Sequence, residues 1–278
     1  MNQKSYEQSD FGKLYLIPTP IGNMDDITLR AINTLESVDI IYAEDTRETL
    51  SLLKKLNINK RVESCHKYSE MMHKDKIVNI LKEGKNIGYV TDRGTPLISD
   101  PGNIIVDECI NNGITVISLP GPNALLPALN MSGLSNERFL FYGFLNSKKS
   151  IAKKELIDLK SIKYTLIFYE SPYRLKETLK LILEVFGNRK ASIVREISKI
   201  YEEVLRDNIE NLLKIVDNIK GEIVIIVEGN NEIEEDNNNY DELINDLINK
   251  GYSKRDAIKE VADKYNVSKN KLYNMVKE

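Results

Sequence analysis

Residues 87–102 read IGYVTDRGTPLISDPG. Ile87, Tyr89 and Val90 have the composition of a buried strand end. The polar run after them carries Gly94, Pro96, Pro101 and Gly102 before a helix opens at about residue 101. A strand that stops in such a loop points its last N–H and C=O groups outward. In an α/β sheet that edge is where a nucleotide-like ligand sits, and a glycine there lets the backbone approach it closely. Asp92, the second residue past the strand, is then placed to accept hydrogen bonds from a ligand hydroxyl or amine. An ordinary βα connection, with Asp92 and Asp100 as turn or cap residues, accounts for the same letters.

The same pattern recurs on either side. Residues 13–18 (KLYLIP) form a strand that runs into a tight turn of Thr19, Pro20, Gly22 and Asn23. Asp26 and Thr28 then stand where they would cap a helix carrying Leu29, Ile32 and Leu35. Residues 38–43 (VDIIYA) are the next strand, and Glu44, Asp45, Thr46 and Arg47 follow at its carboxyl end. Asp45 and Thr46 serve as caps there, or Arg47 stands beside a cleft and holds a phosphate. A helix with Leu50, Leu53 and Leu56 on one face precedes a strand at 61–65. His66, Lys67 and Tyr68 then open another polar loop, in which His66 is a general-base candidate without an identified orienting partner. A helix at 74–83, a helix at about 101–111 ending at Gly113, and a strand at 115–119 closed by PGPNA complete the series.

Five strands, each followed by a helix, predict a parallel, doubly wound domain over 12–130. The first strand lacks a following GxGxxG, which weighs against an ordinary dinucleotide-binding domain. After a linker at 131–138, strands are predicted at 139–144, 165–169, 191–195, 202–206 and 222–228, with helices at 149–160, 172–186 and 207–218. The connection at 198–201 is too short for a parallel crossover, so this second α/β domain, 139–229, has a mixed sheet. Tyr169 and Glu170 end one of its strands at the interdomain cleft, where Glu170 is equally a helix cap. A linker at 230–239 leads to a helical region, 240–278, with Ser253 and Ser268 as N-caps.

Composition bounds the function. At 278 residues the chain predicts roughly two domains. With 39 basic and 42 acidic residues it carries no overall positive field, so a nucleic acid would have to be met by a local patch. One such patch is available at the C-terminal end, where residues 253–278 hold seven basic and four acidic side chains; a solvated helix face is the equally simple reading. Cys65 and Cys109 have no partner at metal-ligand spacing, and with only His66 and His73 besides, no metal site is expected. No apolar run approaches the ~20 residues of a membrane span, and residues 1–11 read as a polar leader, so a cytoplasmic protein is expected.

The runs LIPTPIGNMDDIT, AEDTR, TDRGTPLISDPG, SLPGPNA, YESPYR, REISKIYEE and KGEIVIIVEG, in that order, resemble the successive motifs of the tetrapyrrole methylase superfamily. More narrowly, they are similar to those of the ribosomal RNA small subunit methyltransferase I family. The resemblance implies two α/β domains with a cofactor cleft between them and a small helical region at the C-terminal end. The implied activity is S-adenosylmethionine-dependent 2′-O-methylation of a cytidine ribose in 16S ribosomal RNA, within the small subunit, by a homodimer. It also implies cofactor contacts from Pro18, Asp92, Gly94, Thr95, Asn123, Ala124, Phe168 and Ile225. Substrate contacts would come from Arg47, Tyr173, Arg174, Arg195 and Lys199, and acid–base work from Glu170 or Glu196, unless positioning alone suffices. Two departures stand out. The family's loop usually reads S-D-A-G-T-P, and Arg93 replaces that alanine, where it would either crowd the cofactor or reach RNA; Tyr173 stands where a histidine is usual. A tetrapyrrole methyltransferase, or a non-catalytic RNA-binding protein on the same scaffold, are the alternatives.

Overall fold

The computed structural model describes residues 3–7, 10–66, 69–231, 239–265 and 267–275. Lys67, Tyr68, parts of the leader and most of the 230–239 linker therefore lie outside the described residues. Contacts divide the chain into two units, 1–230 and 231–278.

The first unit contains two five-stranded sheets. β1 (Leu14–Leu16), β2 (Ile40–Ala43), β3 (Val62–Ser64), β4 (Ile87–Val90) and β5 (Val116–Ser118) form one, all parallel, in the order β3-β2-β4-β1-β5. Right-handed crossovers dictate where its helices go. The chain moves one way from β1 to β2 to β3, so α1 (Leu29–Ser37) and α2 (Thr46–Lys55) cover one face, burying Ala31, Leu35 and Leu53. It then reverses through β4 to β5. α3 (Glu70–Lys82) and α4 (Asn103–Asn111) accordingly cover the other face with Ile77, Leu81, Ile105 and Cys109. Beside that reversal the carboxyl ends of β1 and β4 open a crevice, the usual ligand position of such sheets.

Caps fix where these helices start. Thr28 Oγ1 accepts from the Ala31 amide at 3.0 Å, so Thr28 is the cap of α1; Asp26 instead ends a short 3₁₀ turn at Met24–Asp26. Asp45 caps α2, its Oδ1 accepting from the Arg47 amide at 2.8 Å. The start of α4 has no local side-chain cap. Glu70 of α3, buried, reaches across to accept from the Gly102 amide at 3.0 Å and the Ile104 amide at 3.3 Å.

α5 (Leu125–Ser132) crosses to the second sheet and packs on its face away from the other helices, through Ala128 and Leu129. That sheet comprises β6 (Phe139–Phe144), β7 (Thr165–Glu170), β8 (Lys190–Arg195), β9 (Glu203–Asn208) and β10 (Ile223–Val227) in the order β6-β7-β10-β8-β9. β6 and β7 are parallel, whereas β10 runs antiparallel to β7 and β8, and β9 antiparallel to β8. The mixed sheet expected from the short 198–201 connection is observed. α6 (Lys149–Leu159), α7 (Leu175–Phe186) and α8 (Ile209–Ile215) cover the opposite face, with a core around Phe168, Ile193, Ile225, Leu179 and Ile182.

The second unit contains α9 (Tyr240–Asn249), α10 (Lys254–Tyr265) and α11 (Lys269–Met275), packed around Tyr240, Ile244, Ile258, Val261 and Leu272. Ser253 Oγ accepts from the Asp256 amide at 3.1 Å, the N-cap read from the sequence. At Ser268 the described bond is through its carbonyl, to the Leu272 amide.

Candidate functional site

The loop after β4 is held in an unusual backbone path. Gly94 (φ +82°), Leu97 (+71°), Ser99 (+69°) and Gly102 (+125°) all have positive φ, and two of the four are not glycine. At Leu97 and Ser99 such conformations cost about 1–3 kcal/mol each and persist where the surroundings over-determine them. Thr19 and Gly94 supply part of that restraint, each amide donating to the other's carbonyl at 2.9 Å. Thr95 Oγ1 donates to the Pro122 carbonyl at 2.9 Å, tying the loop to the PGPNA turn after β5.

A cavity of about 360 Å³ opens beneath this loop. One wall is Gly94, Thr95, Ile98, Ser99 and Asp100; the other is Tyr169 and Glu170 at the end of β7, with Gly221 to Val224 leading into β10. Asn123 and Ala124 close one side. Asn123 Oδ1 accepts from the Leu126 amide at 3.0 Å and so fixes the start of α5. Phe144 and Tyr169 meet edge to face, with centroids 5.6 Å apart, and give the cavity an aromatic wall. Burial, then the charge of Asp100, push the Tyr169 hydroxyl up to about 12, so it stays protonated. Burial likewise pushes Asp100 up to about 6; a hydrogen bond with Thr91 opposes this and Asp92 adds to it.

A second cavity of about 370 Å³ lies over the carboxyl ends of β1, β2 and β4. It is lined by Thr19, Pro20, Gly22, Asp92, Arg93 and Lys199, and by Glu48, Ser51, Leu52 and Lys55 of α2. Asp92 Oδ1 accepts from the Asp45 amide at 3.0 Å, joining the loops after β2 and β4. Burial raises the Asp92 carboxyl. Glu44 goes up to about 7, through burial and the neighbouring charges of Asp92, Asp100, Asp45 and Glu70.

The expected site residues divide accordingly. Gly94, Thr95, Asn123 and Ala124 line the first cavity, Asp92 and Lys199 the second. Pro18 is buried against Gly121 and lines neither. Phe168 and Ile225 line neither cavity. Both residues are fully buried, paired across β7 and β10, and point into the helix-covered core. Strand side chains alternate between faces, so the cavity is met by the adjacent Tyr169 and Val224.

Three of the expected phosphate ligands are engaged elsewhere. Arg47 is paired with Asp45 at 2.5 Å and lines neither cavity; that pairing is the first cause of Asp45 being lowered to about 2. Arg174 donates to the Leu145 and Asn146 carbonyls at 3.0 and 3.1 Å. Arg195 bonds Glu203 at 2.6 Å and the Lys220 carbonyl at 2.8 Å. Tyr173 is 96% exposed.

Both acid–base candidates make structural hydrogen bonds. Glu170 accepts from the Ser171 amide at 2.8 Å and from Thr178 Oγ1 at 2.6 Å, so it organises the entry to α7. Glu196 Oε1 accepts from the Glu222 amide and from Lys199 Nζ, both at 2.9 Å. Burial raises Glu196, but those two bonds outweigh it and hold the carboxyl below its usual range, which makes it a weak base. Asp100 was read only as a turn or cap residue. The signal that it lines a cavity was its place in the run of residues with forced backbone angles, and that becomes visible only in the fold.

Among the described residues no cluster of metal-ligating side chains occurs, and no helix is long and apolar enough to cross a membrane.

Comparison with known proteins agrees with this architecture. The family model of tetrapyrrole (corrin/porphyrin) methylases matches residues 13–213. Solved structures of similar fold include a diphthine synthase (TM-score 0.60, 14% identity, 78% of this chain and 90% of that one). Uroporphyrin III C-methyl transferase from Thermus thermophilus is another (TM-score 0.58, 17% identity, 78% and 97%). The chain is therefore a member of the tetrapyrrole methylases. It is 45% identical to the ribosomal RNA small subunit methyltransferase I of Bacillus subtilis, over 96% of this chain and 94% of that protein. With the protein of that name from Halalkalibacterium halodurans it shares 44% identity over 98% of each, and with that of Rickettsia prowazekii 38% over 95% of each. Within the class, it belongs to the ribosomal RNA small subunit methyltransferase I family.

Proposed function

We propose that this protein transfers a methyl group from S-adenosylmethionine to the 2′-oxygen of a cytidine ribose in 16S ribosomal RNA. The observation that carries the reading is the 45% identity, over nearly the full length of both chains, to a protein named for methylation of small-subunit ribosomal RNA.

The first cavity suits the methyl donor. Its volume is within the range of small-molecule sites, and its lining is largely apolar with a few fixed polar groups. At Gly94 a Cβ would stand 3.2 Å from Ile21 Cγ2 and 3.6 Å from the Pro122 carbonyl, so the bare backbone is what keeps that wall open. Gly94, Thr95, Asn123 and Ala124 would hold the donor mainly through backbone groups, with the Phe144–Tyr169 wall against its base. S-adenosylmethionine supplies an already activated methyl on a sulfonium sulfur. The protein's tasks are then to align the ribose hydroxyl, exclude water and receive its proton. Asp100 lines this cavity and is ionised at neutral pH, and its raised proton affinity makes it a better base than an ordinary carboxylate. Glu170 and Glu196 position the walls.

RNA would enter from the side of the second cavity, where Lys199 and Asp92 stand, and the basic helices within 240–278 would add contacts to the RNA backbone. The protein would work in the cytoplasm, as a homodimer, on RNA within the small subunit. The test is transfer of a radiolabelled methyl from S-adenosylmethionine to small-subunit particles from a strain lacking this gene. Label in the RNA, at linkages that resist alkali, supports the reading. Particles that stay unlabelled while the protein binds S-adenosylhomocysteine overturn it.

A further inference from the structure

The two cavities share a wall. Arg93 lines both, and its guanidinium is ion-paired with the carboxylate of Glu222, which lines only the first. The second oxygen of Glu222 accepts from Lys199 Nζ at 2.9 Å, and Lys199 lines only the second cavity. One carboxylate thus holds two cations at the boundary, one from the loop after β4 and one from the segment between β8 and β9.

Three features bear on what this arrangement does. The Glu222 backbone is fixed, its amide bonded to Glu196 Oε1 and its carbonyl to the Glu196 amide, but its side chain is more than half exposed. Exposed ion pairs are worth about 0–1 kcal/mol, so this one yields readily to a competing anion. Within the second cavity Lys55 faces the same space and makes no ion pair among the described residues. Arg93, Lys199 and Lys55 line that cavity with the acids Glu48 and Asp92, while Glu222 and Glu196 pair with Arg93 and Lys199 from its edge; a backbone phosphate offers two anionic oxygens to Arg93 and Lys199, as the Glu222 carboxylate does.

We propose that the second cavity is a phosphate subsite for RNA, formed by Arg93 and Lys199, and that Glu222 occupies those two cations as an internal stand-in until a backbone phosphate displaces it. The subsite rests on the RNA reading above. Displacement frees the Glu222 carboxylate from the shared wall, so the same event that seats the RNA opens the boundary towards the donor cavity. Arg93 is on this account an RNA ligand and leaves donor binding alone.

The test measures affinity for unmethylated small-subunit particles across a monovalent-salt series at fixed magnesium, with S-adenosylhomocysteine titrated separately by calorimetry. Glu222→Gln, which frees Arg93 and leaves Lys199 held by Glu196 alone, is expected to bind particles about 2- to 5-fold tighter. Glu184→Gln, on α7 outside both cavities, makes the same change in charge and is expected to have no effect. Arg93→Ala is expected to weaken binding and to flatten the logarithmic salt slope by about 0.7, one single-strand phosphate contact. In the double variant the gain from Glu222→Gln should disappear. If Glu222→Gln binds no tighter than Glu184→Gln, or if Arg93→Ala alters only S-adenosylhomocysteine affinity, the subsite is overturned. Wild-type protein that fails to bind particles overturns the RNA reading itself, and the subsite with it.

Discussion

Thr19 and Gly94 bond to each other in both directions, amide to carbonyl, at 2.9 Å each way. This pair locks the turn after β1 to the loop after β4, and so holds the two cavities in fixed relation along the carboxyl edge of the first sheet. With φ at +82° and Ile21 Cγ2 only 3.2 Å from where a Cβ would sit, any side chain at position 94 is strained and crowds Ile21. Gly94→Val should still fold, at a cost of about 1–2 kcal/mol for the forced backbone. Calorimetry should show S-adenosylhomocysteine affinity reduced about tenfold or more, equivalent to about 1.4 kcal/mol. Unchanged affinity would place the donor elsewhere.

Glu70 substitutes for the missing local cap of α4 and thereby anchors the far end of the same loop. Glu70→Ala leaves the buried Gly102 amide and the part-buried Ile104 amide without this acceptor and should destabilise the protein by about 1–3 kcal/mol in urea unfolding. Glu70→Gln keeps one acceptor oxygen and should lose less.

Asp100 and Glu44 give a signed pH dependence. Each has a folded pKa above its ordinary value, 3.8 rising to about 6 for Asp100 and 4.5 to about 7 for Glu44. Between those limits the folded state binds more protons than the unfolded one. Stability from these groups therefore falls as pH rises from about 4 to about 7. Asp100→Asn should flatten the lower part of that slope and raise neutral-pH stability by about 1 kcal/mol, after discounting for partial exposure. As the proposed proton acceptor, Asp100 should also give the wild-type rate a rise through about pH 6. Asp100→Asn should abolish that rise and slow transfer about 100-fold. A variant that keeps the wild-type pH profile would remove Asp100 from the chemistry.

Cys65 and Cys109 are fully buried, and burial pushes their thiols up to about 11 and about 12. Neither should react with a thiol reagent in the native protein, and both should react in denaturant, so thiol titration reports global opening.

Much of this arrangement was legible in the sequence because it is carried by short-range signals. Alternating strand and helix patterns locate every strand of both sheets to within a few residues, and the short 198–201 segment forces an antiparallel pair. Gly94 is recognisable because glycine and proline cluster where the backbone must turn sharply, whereas Thr95, Asn123 and Ala124 were implied by the family resemblance. Face assignment is harder. Phe168 and Tyr169 are both apolar on a strand buried on both faces, so alternation of polarity cannot say which one meets the cavity. Pairings distant in sequence were beyond reach for the same reason. Glu70 at the start of α4, Glu222 on Arg93, and the engagement of Glu196 by the Glu222 amide depend on how segments distant in sequence come together, and no local pattern encodes them.

The central claim is methylation of a ribose in small-subunit RNA, and nucleoside mass spectrometry of 16S RNA tests it most directly. RNA from a strain lacking this gene should have lost a 2′-O-methylcytidine. Complementation with the wild-type chain should restore it, and complementation with Gly94→Val should not. An unchanged 2′-O-methylcytidine content in the deletion strain would contradict the account.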